Sequence, residues 1–149
     1  MRKLLLILGL VFIGQVAFCQ ELDTALLTGQ WQLKHYDAIE EIRQSDRYVN
    51  ATPQVREGMD RKIDRLMENT FYHFTGRDSL FFTDLRNGSV VERKASYALR
   101  DSLLTITEIG AKRDKRAKIL ELDVRQLVLV PLVNGSEKKG RMVFERVEP

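Results

Sequence analysis

From Gly29 to Tyr36 apolar and polar positions alternate. Trp31, Leu33 and His35 fall on one face, with Gln30, Gln32, Lys34 and Tyr36 on the other. That is the period of a strand with one buried face. Over residues 37–69 the period turns helical. Ile39 and Ile42 fit a short first helix. Thr52 is placed to cap a second one with Pro53 at its first position, and Val55, Met59, Ile63, Leu66 and Met67 form a single apolar stripe. From Thr70 the period returns to two, and the pattern predicts strands over 70–75, 80–85, 90–99, 102–108, 117–122, 127–132 and 141–147. The links carry turn chemistry. Asn87-Gly88 is a hairpin signal, because both central positions of a type I′ turn need positive φ. Arg100-Asp101 and Asp123 to Gln126 are short enough for hairpins, while Asn134-Gly135-Ser136 and Gly140 bracket a longer polar loop.

With the first strand these make eight, most of them joined by short links that favour antiparallel neighbours. The expected fold is mainly β: an eight-stranded antiparallel up-and-down barrel with a helical insertion, residues 37–69, between strands 1 and 2. Closure would remove the exposed edges. An open sandwich of the same strands is the alternative that periodicity leaves standing. If the barrel closes, the inward positions, and hence the ligand-binding candidates, are Leu33, His35, Tyr72, Phe74, Phe82, Tyr97, Leu104, Ile106, Leu129, Met142 and Phe144.

The first residues change the picture of where this domain works. Arg2 and Lys3 precede the apolar run Leu4 to Phe18, which is shorter than the ~20 residues that cross a bilayer as a helix. Ala17 and Cys19 place small side chains where a signal peptidase reads them, so residues 1–19 read as a signal peptide and 20–149 as one exported domain, periplasmic or extracellular. A second reading makes Cys19 a lipid-attachment site, because Val16-Ala17-Phe18-Cys19 is similar to a bacterial lipobox; the protein would then be a membrane-attached lipoprotein. Cleavage removes Arg2 and Lys3 and no acidic residue, so the formal charge falls from +3 to +1. Basic and acidic residues interleave along the remainder, which excludes a nucleic-acid surface from the expectations. Cys19 is the single cysteine, so the mature domain holds no internal disulfide.

Thr28-Gly29-Gln30-Trp31 resembles the Gly-x-Trp signature that opens the first barrel strand of lipocalins, and Arg141-Met142-Val143-Phe144-Glu145-Arg146-Val147 resembles their last strand, which ends with an arginine. Phe71-Tyr72-His73-Phe74, Ala98-Leu99 with Leu104-Thr105-Ile106, and Leu127-Val128-Leu129 look like strands of the bacterial lipocalin-like domains. The resemblance runs from about Leu26 to Val147. It implies that Trp31 plugs the closed end of the barrel with Arg146 lying across its ring, a structural pair. A guanidinium on an indole face contributes roughly 0.5–2 kcal/mol. The insertion 37–69 departs from that family, where a loop usually joins these strands.

Chemistry is sparse. His35 and His73 are the only two histidines, with no cysteine or spaced carboxylate motif beside them, so no metal is expected. No nucleophile has a recognisable base, there is no Gly-x-Ser-x-Gly elbow and no phosphate-cradling glycine loop. The reading is therefore no enzyme and no cofactor. Lys112-Arg113-Asp114-Lys115-Arg116-Lys118, with Lys138, Lys139 and Arg141, could attract anions at one end or simply be a solvated loop. The function expected is an exported lipocalin-like protein binding a small hydrophobic or amphipathic molecule in the barrel. The alternative is a non-enzymatic cell-envelope interaction module with a filled barrel and a protein partner on the insertion. A connected apolar pocket of ~300 Å³ or more separates the two.

Overall fold

A computed structural model describes residues 23–86, 89–137 and 140–148. The proposed leader, the Asn87-Gly88 turn, Lys138 and Lys139 lie outside the described residues. Helix α1 (Thr24–Leu27) leads into β1 (Gly29–Tyr36). Helices α2 (Asp37–Gln44), α3 (Asp46–Val49) and α4 (Pro53–Asn69) follow, and then β2 (Phe71–Thr75), β3 (Ser79–Arg86), β4 (Ser89–Arg100), β5 (Leu103–Glu108), β6 (Lys115–Leu122), β7 (Gln126–Val133), the two-residue β8 (Ser136–Glu137) and β9 (Met142–Arg146). Apart from β8, each strand pairs antiparallel with two neighbours, and β9 returns to β1. Eight strands therefore close into a barrel, with β8 added beside the end of β7.

Closure decides which side chains are inside, because residues directly opposite each other on paired strands share a face. Trp31 stands opposite Tyr72 and Arg146, Tyr72 opposite Phe82, Tyr97 opposite Ile106, and Leu129 opposite both Ile119 and Met142. The resulting core is continuous: Leu27, Trp31, Leu33, Phe74, Leu80, Leu104, Leu127, Leu129 and Phe144 are essentially out of solvent. Tyr72 stacks on Phe144 at 4.9 Å, and Phe74 meets Tyr97 edge-on at 5.0 Å, offset geometries that suit the ring quadrupoles.

One β-bulge changes the expected facing of two residues. The register shifts between Leu33 and His35, so that Leu33 faces Phe144 but His35 faces Val143 and Tyr36 faces Met142. An extra residue in one strand reverses the alternation beyond it. His35, expected inside, is turned out with its side chain 45% exposed and bonded to Asp37. Tyr36, expected outside, packs on the core.

Two further expectations are corrected. Asn134 and Gly135 both take positive φ (53° and 79°) and close Val133 onto Ser136, so the polar loop begins as a tight hairpin. In α4, Ile63 is buried and Met67 packs on the core, but Val55 is 53% exposed, so the stripe is shorter than its periodicity suggests. The helix start is as the sequence implies: the Thr52 hydroxyl accepts from Val55 N at 3.4 Å and Pro53 occupies the first turn.

The two ends of the barrel differ. One gathers α1, the 76–78, 101–102 and 123–125 turns and the end of β9. Here the Trp31 indole N–H donates to Leu27 O at 2.8 Å and the Arg146 guanidinium lies 4.3 Å over the indole ring. Arg146 also donates to the carbonyls of Val124, Thr28 and Leu26 at 2.7, 2.6 and 2.5 Å. That end is sealed. The other end is formed by Tyr36, the helical insertion, the 109–114 loop and the β7–β9 connection.

Candidate ligand cavity at the barrel mouth

The mouth is open because its inward side chains leave a gap above the stacked rings. A cavity of about 370 Å³ lies there, floored by Tyr36, Tyr72, Ile106, Ala117, Leu129, Pro131 and Met142 and rimmed by Arg113, Asp114, Lys115, Arg116 and Asn134. A second space of about 300 Å³ shares Tyr36 and Met142 with it and reaches Leu33, Leu66, Thr70 and Thr83 beneath the end of α4. The size falls in the range of small-molecule sites, which are mostly apolar with a few placed polar groups.

Several contacts hold this mouth in shape. The Asp37 backbone N–H donates to Arg141 O at 3.0 Å, and the Arg141 N–H and Nε donate to Asp37 Oδ2 at 2.9 and 3.2 Å. The clamp ties the end of β1 to the start of β9. Donation from the Arg141 backbone N–H holds the Asp37 carboxyl below its ordinary range, reinforced by His35 and the Arg141 side chain against a smaller opposing effect of burial. At Gly140 (φ +122°) a Cβ would lie 3.2 Å from the Tyr36 ring and 3.3 Å from Ala38 N, so only glycine lets this connection settle on Tyr36. On the far side, Gln32 Nε2 donates to Met67 O at 2.8 Å, Glu68 O at 3.2 Å and Thr70 O at 3.0 Å. These are carbonyls at the end of α4 without helical partners, so one outward side chain of β1 anchors the last turn of the helix.

Polar groups also point into the upper barrel. Arg93 stands opposite Phe82, Glu108 opposite Ala95, and Lys115 opposite Ile106. Arg93 and Glu108 form an ion pair whose side chains are 21% and 12% exposed, and Lys115 Nζ sits 3.8 Å from Glu108 and 4.6 Å from the centre of the Phe82 ring. Burial pushes the Tyr72 phenol up to about 12, with a smaller push from Tyr36, so its hydroxyl stays neutral and able to donate.

Of the eleven inward candidates, Leu33, Phe74, Phe82, Tyr97, Leu104, Ile106, Leu129 and Phe144 are buried in the barrel, Tyr72 and Met142 are half-buried against that core, and His35 is outside. Only Tyr72, Ile106, Leu129 and Met142 line the larger cavity; Phe74 and Phe144 belong to the solid lower half. Sequence reasoning missed Tyr36, hidden by the bulge, and the Arg93–Glu108 pair. The pair was legible in principle: Arg93 shares parity with Ala95 and Tyr97, and Glu108 with Leu104 and Ile106. Among the described residues no group of three metal-ligating side chains is gathered.

These features define the class by fold: an eight-stranded antiparallel up-and-down barrel of the lipocalin-like kind, closed by a tryptophan–arginine plug at one end and open at the other. No family model and no curated protein matches the chain. Among solved structures the chain is similar to a lipocalin-like protein from Bacteroides uniformis, at 17% identity and a TM-score of 0.48, covering 82% of this chain and 99% of that one. It is also similar to an uncharacterized protein from Bacteroides eggerthii, at 16% identity and a TM-score of 0.47, covering 80% of this chain and 98% of that one.

Proposed function

We propose that this chain is an exported, non-enzymatic binding protein that holds a small hydrophobic or amphipathic molecule in the mouth of its barrel. The observation that carries the reading is the 370 Å³ space with an apolar floor above a packed lower core. Export rests on the leader-like residues 1–19 and not on the barrel. The polar groups at the mouth hold and orient the ligand.

Ala117 supplies the direct test. It is half-buried, inward and part of the cavity floor, so Ala117→Phe should fill the space from within. Titration calorimetry with decanol should show binding to the wild type and at least about tenfold weaker binding to the variant, ~1.4 kcal/mol. A variant that melts normally and binds decanol as well as wild type would overturn the reading.

A second reading, an interaction module, is favoured by one observation. Ile42, Val49 and Val55 on the insertion are 42%, 58% and 53% exposed, one apolar side chain from each of its three helices. Loss of partner capture on changing these three residues, with decanol binding intact, is the outcome that would support it.

A further inference from the structure

The mouth cavity has two unlike parts. Its inner chamber is floored by aromatic and aliphatic side chains, while a shallower space of about 300 Å³ adjoins it on the β6 side, lined by Arg113, Asp114, Arg116, Leu132, Asn134 and Gly135. Five of those six residues also line the main cavity, so the two spaces are contiguous. The rim therefore presents Arg113, Lys115 and Arg116 against the single acid Asp114, all four exposed. The nearby Glu108 is shared between Arg93 and Lys115, so with Asp114 it leaves the four cations, Arg93 included, in excess by two.

We propose that the ligand is a single-chain amphipathic anion, with its apolar tail on the floor formed by Tyr72, Ile106, Ala117 and Leu129 and its acidic head on Arg113, Lys115 and Arg116. The proposal deepens the binding function above and rests on it. The physical case is the order of environments along one path: apolar floor, a neutral phenol at Tyr72, then cations at the exit. A neutral ligand would gain nothing from that last step. A cationic one would be repelled by three charges, whereas a carboxylate would accept charge-assisted hydrogen bonds from two guanidiniums. Lys115, held beside Phe82 and Glu108, bridges the inner and outer parts. A chamber of about 370 Å³ admits one chain of moderate length and excludes two.

The test uses protein purified from its own host, so that its N-terminus is native, with decanoate, decanol and decyltrimethylammonium titrated calorimetrically at low and high salt. Decanoate should bind at least about tenfold more tightly than decanol at low salt, and the gap should close as salt screens the rim. Decyltrimethylammonium should bind most weakly. Arg113→Gln with Arg116→Gln, and separately Lys115→Gln, should each bring the ratio of decanoate to decanol affinity most of the way back toward one. If decanol binds and decanoate binds no better, or if the preference survives the substitutions, the anion assignment falls and the apolar pocket stands. If none of the three binds, both fall together.

Discussion

At Gly29 the backbone takes φ of +129°, and an added Cβ would run into the Arg146 guanidinium. The glycine is there so that Arg146 can lie against bare backbone, cover Trp31 and reach three carbonyls at once. Removing Trp31 strips the largest buried side chain from this seal. Trp31→Ala should lower the unfolding free energy by ~3–5 kcal/mol, as deletion of a large aromatic from a core does. Urea unfolding followed by circular dichroism reads the loss without depending on the missing indole, and a wild-type midpoint would contradict the plug. Asp37 sets a different dependence at the mouth. Because its pKa is held below the ordinary 3.8 in the folded chain, its clamp stabilises fully above that value and weakens as pH falls through the lowered one. Stability of wild type and Asp37→Asn should therefore differ most above the ordinary carboxylate value and converge as the pH falls through the lowered one. A gap that persists in strong acid would mean the carboxylate charge is not what the clamp uses.

The element that departs most from a plain barrel is the helical insertion. Its last turn is fastened by Gln32, by the Thr70 hydroxyl donating to Leu66 O at 2.7 Å, and by Thr83 donating to Asn69 O. Further out, the Tyr48 hydroxyl donates to the Asp60 carboxylate at 2.8 Å and joins α3 to α4. Apart from Ile63, the middle of α4 buries little, and an amphipathic helix gains most of its stability from what it packs on. Leu66 lines the second mouth space, whereas no α4 residue lines the main cavity, so a lid formed by α4 would have to swing on its C-terminal turn. Amides 53–68 should then exchange with solvent faster than those of the barrel strands and slow when decanol is added. Exchange as slow as the barrel's, with no response to decanol, would make the insertion a fixed extension.

Across the whole molecule the design is asymmetric, with a solid lower half giving rigidity and an open upper half giving space. The proposal of export makes a separate claim about the chain as made. Intact mass of protein from its own host should correspond to residues 20–149, beginning at Gln20; the full-length mass, or acyl chains on Cys19, would refute that processing. Much of the architecture was readable from the chain alone. Period-two runs located every barrel strand within a few residues and the switch to helical period located the insertion, because these are local patterns imposed by one-sided burial. The sealed end was marked only by the resemblance of Gly29-Gln30-Trp31 and Arg146 to the ends of a lipocalin barrel. What only the tertiary structure decided lies where local pattern and pairing disagree. The bulge after Leu33 turned His35 out and Tyr36 in, since facing beyond a bulge depends on the partner strand and not on parity. The cavity is likewise not a property of any strand. It exists because the large side chains pack together in the lower half, and because closure brings the β5–β6 loop, the β7–β9 connection and α4 around one opening.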